Sequence, residues 1–108
     1  MSKFKAIETE YGGCMFRSRL EAKWAVYFDA LGIDWRFEAE GYECDSVRYL
    51  ADFYFPKLKF FGEVKPERHT KYDRRKWEML VKGTGLPLVL FDGSPTQPVP
   101  KYSFTMKR

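Results

Sequence analysis

At 108 residues the chain is long enough for one domain with a real core and too short for a second. A hydrophobic content of 44% against 31% charged residues excludes a disordered chain, and no apolar run approaches the roughly 20 residues of a membrane span. The net charge of +4 is compatible with a nucleic-acid partner without identifying one.

No apolar signal region opens the sequence, so a soluble cytoplasmic protein is expected. Cys14 and Cys44 form no CxxC, and with the lone His69 they fall one ligand short of a structural zinc site, so both are expected to be reduced. An aromatic content of 19% suits a small core of large side chains and leaves rings able to stack on bases.

In chain order, residues 1–13 are polar and broken at Gly12-Gly13, the pattern of an arm or lead-in loop. Residues 16–31 are expected to be a helix. Ser18 and Glu21 stand in capping-box spacing, Gly32 is a stop, and Leu20, Trp24, Tyr27, Phe28 and Leu31 form an apolar stripe. Glu21 falls at the margin of that stripe, as a capping-box acid, a rim residue paired with Arg17 or Lys23, or something functional. Residues 35–42 alternate as a strand with one wet face, in which Arg36, Glu38 and Glu40 oppose Trp35, Phe37 and Ala39.

The stretch that follows, YLADFYFPKLKFFGEVK over residues 49–65, reads as two strands joined by a turn at Pro56 and residues 57–59. Alternation puts Arg48, Leu50, Asp52 and Tyr54 on one face of residues 47–55, and Phe61, Glu63 and Lys65 on one face of residues 60–65. Asp52, Glu63 and Lys65 are therefore candidates for one cluster, and two acids and a lysine among aromatics are costly to bury unless a cation completes the group.

Pro66 stops that strand, and residues 71–82 form a second helix with Trp77, Leu80 and Val81 inward and Lys71, Arg74, Arg75, Lys76 and Lys82 pointing elsewhere. Gly83 and Gly85 end it. Residues 86–91 are a short apolar strand buried on both faces, and residues 92–108 a Pro-rich, basic, loosely patterned tail. The expected fold is α/β: helix, three antiparallel strands, helix, and a last strand that joins a mixed four-stranded sheet after a helical crossover.

Phosphodiester hydrolysis near neutral pH needs an activated water, a neutralised phosphate and a stabilised leaving oxygen, all of which a divalent metal with open positions can supply. Asp52 and Glu63 offer carboxylates and Val64 a backbone carbonyl, while Lys65 can face the water or phosphate. Glu21 can complete the shell directly or through a water. An acid-x-lysine triplet alone is nearly uninformative; joined to the upstream aspartate and a helical glutamate it is far more specific.

Glu21 in FRSRLEAKW, Asp52 in YLADF and the triplet Glu63-Val64-Lys65 together resemble the PD-(D/E)xK nuclease superfamily. Among small members the resemblance is closest to phage-type and Holliday-junction-resolving endonucleases, and to transposition endonuclease domains with a similar S-x-L-E helix. It spans residues 16–91 and implies a restriction-endonuclease-like αβββαβ core. It also implies Mg²⁺ or Mn²⁺ held by Asp52 and Glu63, Lys65 as the catalytic lysine, Glu21 as the helical acid, and a cytoplasmic setting in a bacterial or phage-infected cell. The sequence departs from the superfamily with Ala51 in place of proline before the aspartate. Its second helix carries Lys71, Arg74, Arg75 and Lys76 where some branches place a further active-site residue.

Arg17, Arg19 and Lys23 on the first helix and Lys71, Arg74 and Arg75 on the second can contact DNA phosphates or be solvated helix faces. His69 reads as a surface or capping residue, and Trp24, Trp35 and Trp77 as core. The leading expectation is a metal-dependent DNA endonuclease, for which one site per chain favours a homodimer if both strands are cut. The alternatives are a non-catalytic nucleic-acid-binding module in a larger nucleoprotein assembly, and a structural domain in which Glu63→Ala would be neutral or stabilising.

Overall fold

The computed structural model describes residues 7–39, 41–65 and 69–95 and the backbone of 103–106. The elements are β1 (Thr9–Tyr11), β2 (Cys14–Phe16), α1 (Arg19–Ala30), β3 (Arg36–Phe37), β4 (Gly41–Cys44), β5 (Val47–Leu50), β6 (Phe53–Phe55), β7 (Phe60–Lys65), α2 (Lys71–Thr84), β8 (Leu88–Asp92) and β9 (Ser103–Met106). The α/β class is as expected. Pro66, expected to stop the strand, and residues 96–102 and 107–108 of the expected tail lie outside the described residues, as do residues 1–6 and Glu40.

The mixed sheet runs β3, β6, β7, β8, β9. The β3–β6 and β6–β7 pairs are antiparallel, and β8 joins β7 in parallel after the α2 crossover, as the sequence pattern predicts. Beyond that pattern, β9 pairs antiparallel with β8, so part of the expected loose tail is a fifth strand. Helices cover opposite faces of the sheet. Trp24, Ala25 and Phe28 of α1 pack with Phe53, Phe55 and Phe91, whereas Trp77, Leu80 and Val81 of α2 pack with Phe61, Leu88 and Leu90. Strand β8 thus buries side chains on both faces, the reason for its continuous apolar run.

The same alternation explains Gly62. A Cβ there would stand 2.7 Å from ring carbons of both Phe55 and Phe91, so the α1-side core closes over a position with no side chain.

Three expectations need correction. Residues 9–16 are a hairpin rather than an arm, because Gly12 and Gly13 both take positive φ (60° and 82°), the requirement of a two-residue hairpin turn. Phe16 is accordingly a fully buried strand residue, and α1 starts later, at Arg19, behind the Ser18 cap.

The expected strands 35–42 and 47–55 are each cut in two. The end of the first, continued to Cys44 as β4, and the start of the second, β5, pair only with each other and pack on α2. One cut falls at Glu38, a non-glycine residue in the left-handed region at φ 51°, and the other at Ala51 and Asp52.

Helix α1 also buries Ala22 and Ala25 while leaving Leu31 about half exposed at its C-cap, so the apolar stripe is rotated from the expected one. Helix α2 is the better capped of the two. Thr70 and Asp73 form a complete capping box, and Gly85 closes the helix in the left-handed conformation.

Candidate active site

Asp52 sits where the chain leaves the α2 side of the sheet for the α1 side: Tyr49 and Ala51 belong to the α2-side cluster, Phe53 and Phe55 to the other. Its backbone is fixed on both sides of this crossing. The Asp52 N–H donates to Glu63 Oε2 at 2.8 Å, and its C=O accepts from the Glu38 N–H at 2.9 Å. Its carboxylate is fixed too, because Oδ2 accepts the Val64 N–H at 2.9 Å. The strand break therefore aims the aspartate along β7 instead of returning it to the ladder.

The side of β7 that receives it is open. The Phe61 N–H bonds Pro87 on the β8 side, so by alternation Gly62 and Val64 direct their backbone groups toward β6. The β6 pairing ends at Phe53↔Gly62, which leaves the Val64 carbonyl pointing beside Asp52 with no strand residue opposite.

Glu63, 4% exposed, is the buried acid among the described residues. Four donor contacts converge on its carboxylate. Oε1 accepts from the Trp77 indole N–H at 3.0 Å and from Lys76 Nζ at 2.8 Å, while Oε2 accepts from the Asp52 N–H and from Lys76 Nζ at 3.3 Å.

These surroundings govern the charges. Burial, and then the negative charge of Glu63, raise the Asp52 carboxyl well above its usual range; Lys76 works against them, Glu21 with them, and side-chain hydrogen bonding toward Glu63 adds to the rise. Burial pulls Lys76 down, but the Glu63 and Asp52 charges outweigh it and the ammonium is raised overall.

Glu21 lies on the first turn of α1. Ser18 accepts the Glu21 N–H at 3.1 Å, as a capping box requires, but the Glu21 carboxylate reaches past Ser18 to the Arg17 N–H at 3.0 Å. Burial raises its carboxyl, partly offset by that hydrogen bond. Its charge is felt at Asp52, yet among the described residues no three His, Cys, Asp or Glu side chains stand close enough to form a metal-binding group. A direct three-carboxylate cage of Glu21, Asp52 and Glu63 is therefore not what the fold builds.

Lys65 shares the face of Glu63 by alternation and is half-buried beside Asp92 of β8 in register. Among the described residues no hydrogen bond or ion pair joins it to either acid; that contact belongs to Lys76, which was expected to point elsewhere. The signal for Lys76 was its spacing. It precedes Leu80 by four residues and adjoins Trp77, so it lies on the inward face with Asp73 and Thr84. Trp77 is core as expected, but its indole N–H also orients Glu63.

A second residue missed by the sequence reading is Glu38, which pairs with Arg17 at 2.6 Å and adds negative charge near Glu21. Arg17 is thus tied to the site rim, while Arg19, Lys23, Lys71, Arg74 and Arg75 are exposed along the two helices. His69 is exposed and packs its ring on Trp77 at 5.4 Å, one residue removed from Glu63.

The donor set fits a hard divalent cation. Two carboxyl groups held next to each other by the Asp52 N–H to Glu63 Oε2 and Val64 N–H to Asp52 Oδ2 bonds, with a backbone carbonyl beside them, match an ion that takes one or two carboxylates and fills its shell with water and phosphate oxygens. The Lys76 ammonium astride Glu63 is a stand-in for such a cation. Searches against family models, characterised proteins and solved structures find no match for this chain.

Proposed function

We propose that the chain is a Mg²⁺- or Mn²⁺-dependent DNA endonuclease with a restriction-endonuclease-like αβββαβ core of the PD-(D/E)xK kind. The observation that carries this reading is the meeting of Asp52, at the β5–β6 break, with Glu63 of β7, where burial and then like charge disfavour Asp52 ionisation until a cation arrives. When bound, the divalent ion supplies charge neutralisation at the phosphate and an acidified water.

The residues of the chain do the rest. Asp52 and Glu63 would hold the ion with the Val64 carbonyl, and Glu21, on the first turn of α1, would complete its surroundings. Lys65 presents its ammonium to the attacking water or the phosphate. Arg17, Arg19 and Lys23 on α1 and Lys71, Arg74 and Arg75 on α2 hold backbone phosphates, and a homodimer would supply two sites for two strands. Among the described residues no helix is long and apolar enough to cross a membrane.

The test is cleavage of supercoiled plasmid, linear duplex, single strand and four-way junction with Mg²⁺, Mn²⁺ or EDTA. Metal-dependent cutting is expected, and the preferred substrate defines the role.

One observation favours a second reading, a non-catalytic nucleic-acid-binding module of a larger assembly. Glu63 is already fully hydrogen-bonded by groups of the chain itself. Calorimetry separates the two, since such a module need not take up Mn²⁺ and an intact site should.

A further inference from the structure

A carboxylate offers about four lone-pair sites. On Glu63 they meet four donor contacts: Trp77, the Asp52 N–H, and the Lys76 ammonium bridging both oxygens at 2.8 and 3.3 Å. A metal ion that uses Glu63 must therefore displace something. Trp77 is 3% exposed in the α2-side core, and the Asp52 N–H is fixed by the backbone crossing. Lys76 alone is on a flexible four-carbon stem, with its side chain 18% exposed against 5% for Glu63. Tyr72, one turn back along α2, is near enough for its charge to act on Lys76 and is 60% exposed, so the rim beside Lys76 is open to solvent.

We propose that Lys76 is a positioning residue that holds the Glu63 carboxylate in the metal-free protein and is displaced by the incoming divalent cation, which frees its ammonium to meet substrate phosphate. This rests on the metal-dependent reading above and adds an exchange of cations on one carboxylate. The groups facing Lys76 are Glu63, Asp52 and Tyr72, and the first two keep the ammonium charged while it waits. The exchange also gives the buried Glu63 carboxylate a partner at every stage: the internal cation occupies the place until an external one takes it.

The test uses the wild-type chain and an amine-acylating reagent, with modification at each lysine followed by peptide mass spectrometry. Mn²⁺ should speed acylation of Lys76 about tenfold, the scale of losing one charged hydrogen bond, and leave exposed Lys71 and Lys82 unchanged. Asp52→Asn, which weakens the cation site, should abolish the response. Calorimetry in parallel should show Lys76→Met binding Mn²⁺ about tenfold more tightly than wild type, with Lys76→Arg restoring the weaker binding.

An unchanged Lys76 rate in protein that demonstrably binds Mn²⁺ overturns the exchange and leaves the metal site standing. Equal or weaker Mn²⁺ binding by folded Lys76→Met also overturns it. No Mn²⁺ uptake by wild type overturns the metal-dependent reading, and the exchange with it.

Discussion

The backbone N–H of Asp52 donates to Glu63 Oε2, so the acid at the strand break is tied to the acid of the neighbouring strand through main chain as well as through charge. Glu63 consequently has a structural role besides any catalytic one. Glu63→Ala leaves the Lys76 ammonium, the Trp77 indole and the Asp52 N–H without their acceptor. Removing one partner of a buried charge pair costs about 3–5 kcal/mol. Urea denaturation should show a loss of that size, opposite to the neutral or stabilising effect expected of a purely structural domain.

Asp52 behaves oppositely in the absence of divalent ions. Its carboxyl is raised by burial and by Glu63, so the folded chain holds this proton more tightly than the unfolded one. The unfolded state binds fewer protons between the ordinary value, about 3.9, and the raised one, so stability is lost as pH climbs through that window. Lys76, also raised, contributes stability that persists until pH passes the lysine range near 10, so it does not mask the effect. Asp52→Asn should remove this fall and gain roughly 1 kcal/mol at neutral pH, a rise of about 4–8 °C in Tm for a domain of this size. Added Mn²⁺ should raise the Tm of wild type and not that of the variant.

The core makes its own prediction. In Gly62→Ala the new methyl group meets Phe55 and Phe91 ring carbons 2.7 Å away, both in well-packed positions. Overpacking of this kind costs about 1–3 kcal/mol, readable in chemical denaturation.

These effects show what was legible in the sequence. Helical spacing and caps placed α1 and α2, and the apolar run of β8 announced a strand with both faces covered. Period-two alternation carried Glu63 and Lys65 to one face of β7. It failed at Asp52, because alternation assumes an unbroken strand and here the chain changes sides of the sheet. Asp52 still reaches Glu63, but through the break and not along a shared face. Lys76 escaped because a lysine beside Trp77 resembles a solvated residue until a buried acid is known to lie opposite. Gly12-Gly13 announces the hairpin β1–β2, but its strands of three residues each, Thr9–Tyr11 and Cys14–Phe16, are too short to show a clear alternation.

Exposed Arg74 and Arg75 on α2 provide a separate test of the DNA interface. Changing either to Ala should leave stability within about 0.5 kcal/mol. DNA binding should weaken for all sequences alike, and the slope of log K against log salt should fall by about 0.9 for each phosphate that is no longer neutralised. Fluorescence anisotropy on a labelled duplex over a salt series reads this out.

The decisive experiment is plasmid and junction cleavage by wild type and Asp52→Asn, side by side, with Mn²⁺ and with EDTA. Because the variant is predicted to be the more stable protein, a loss of activity cannot be put down to unfolding. Cutting by wild type that requires Mn²⁺ and disappears in Asp52→Asn is the predicted result. Equal Mn²⁺-dependent cutting by both proteins would contradict the assignment of the site, and no cutting by wild type on any substrate would contradict the nuclease itself.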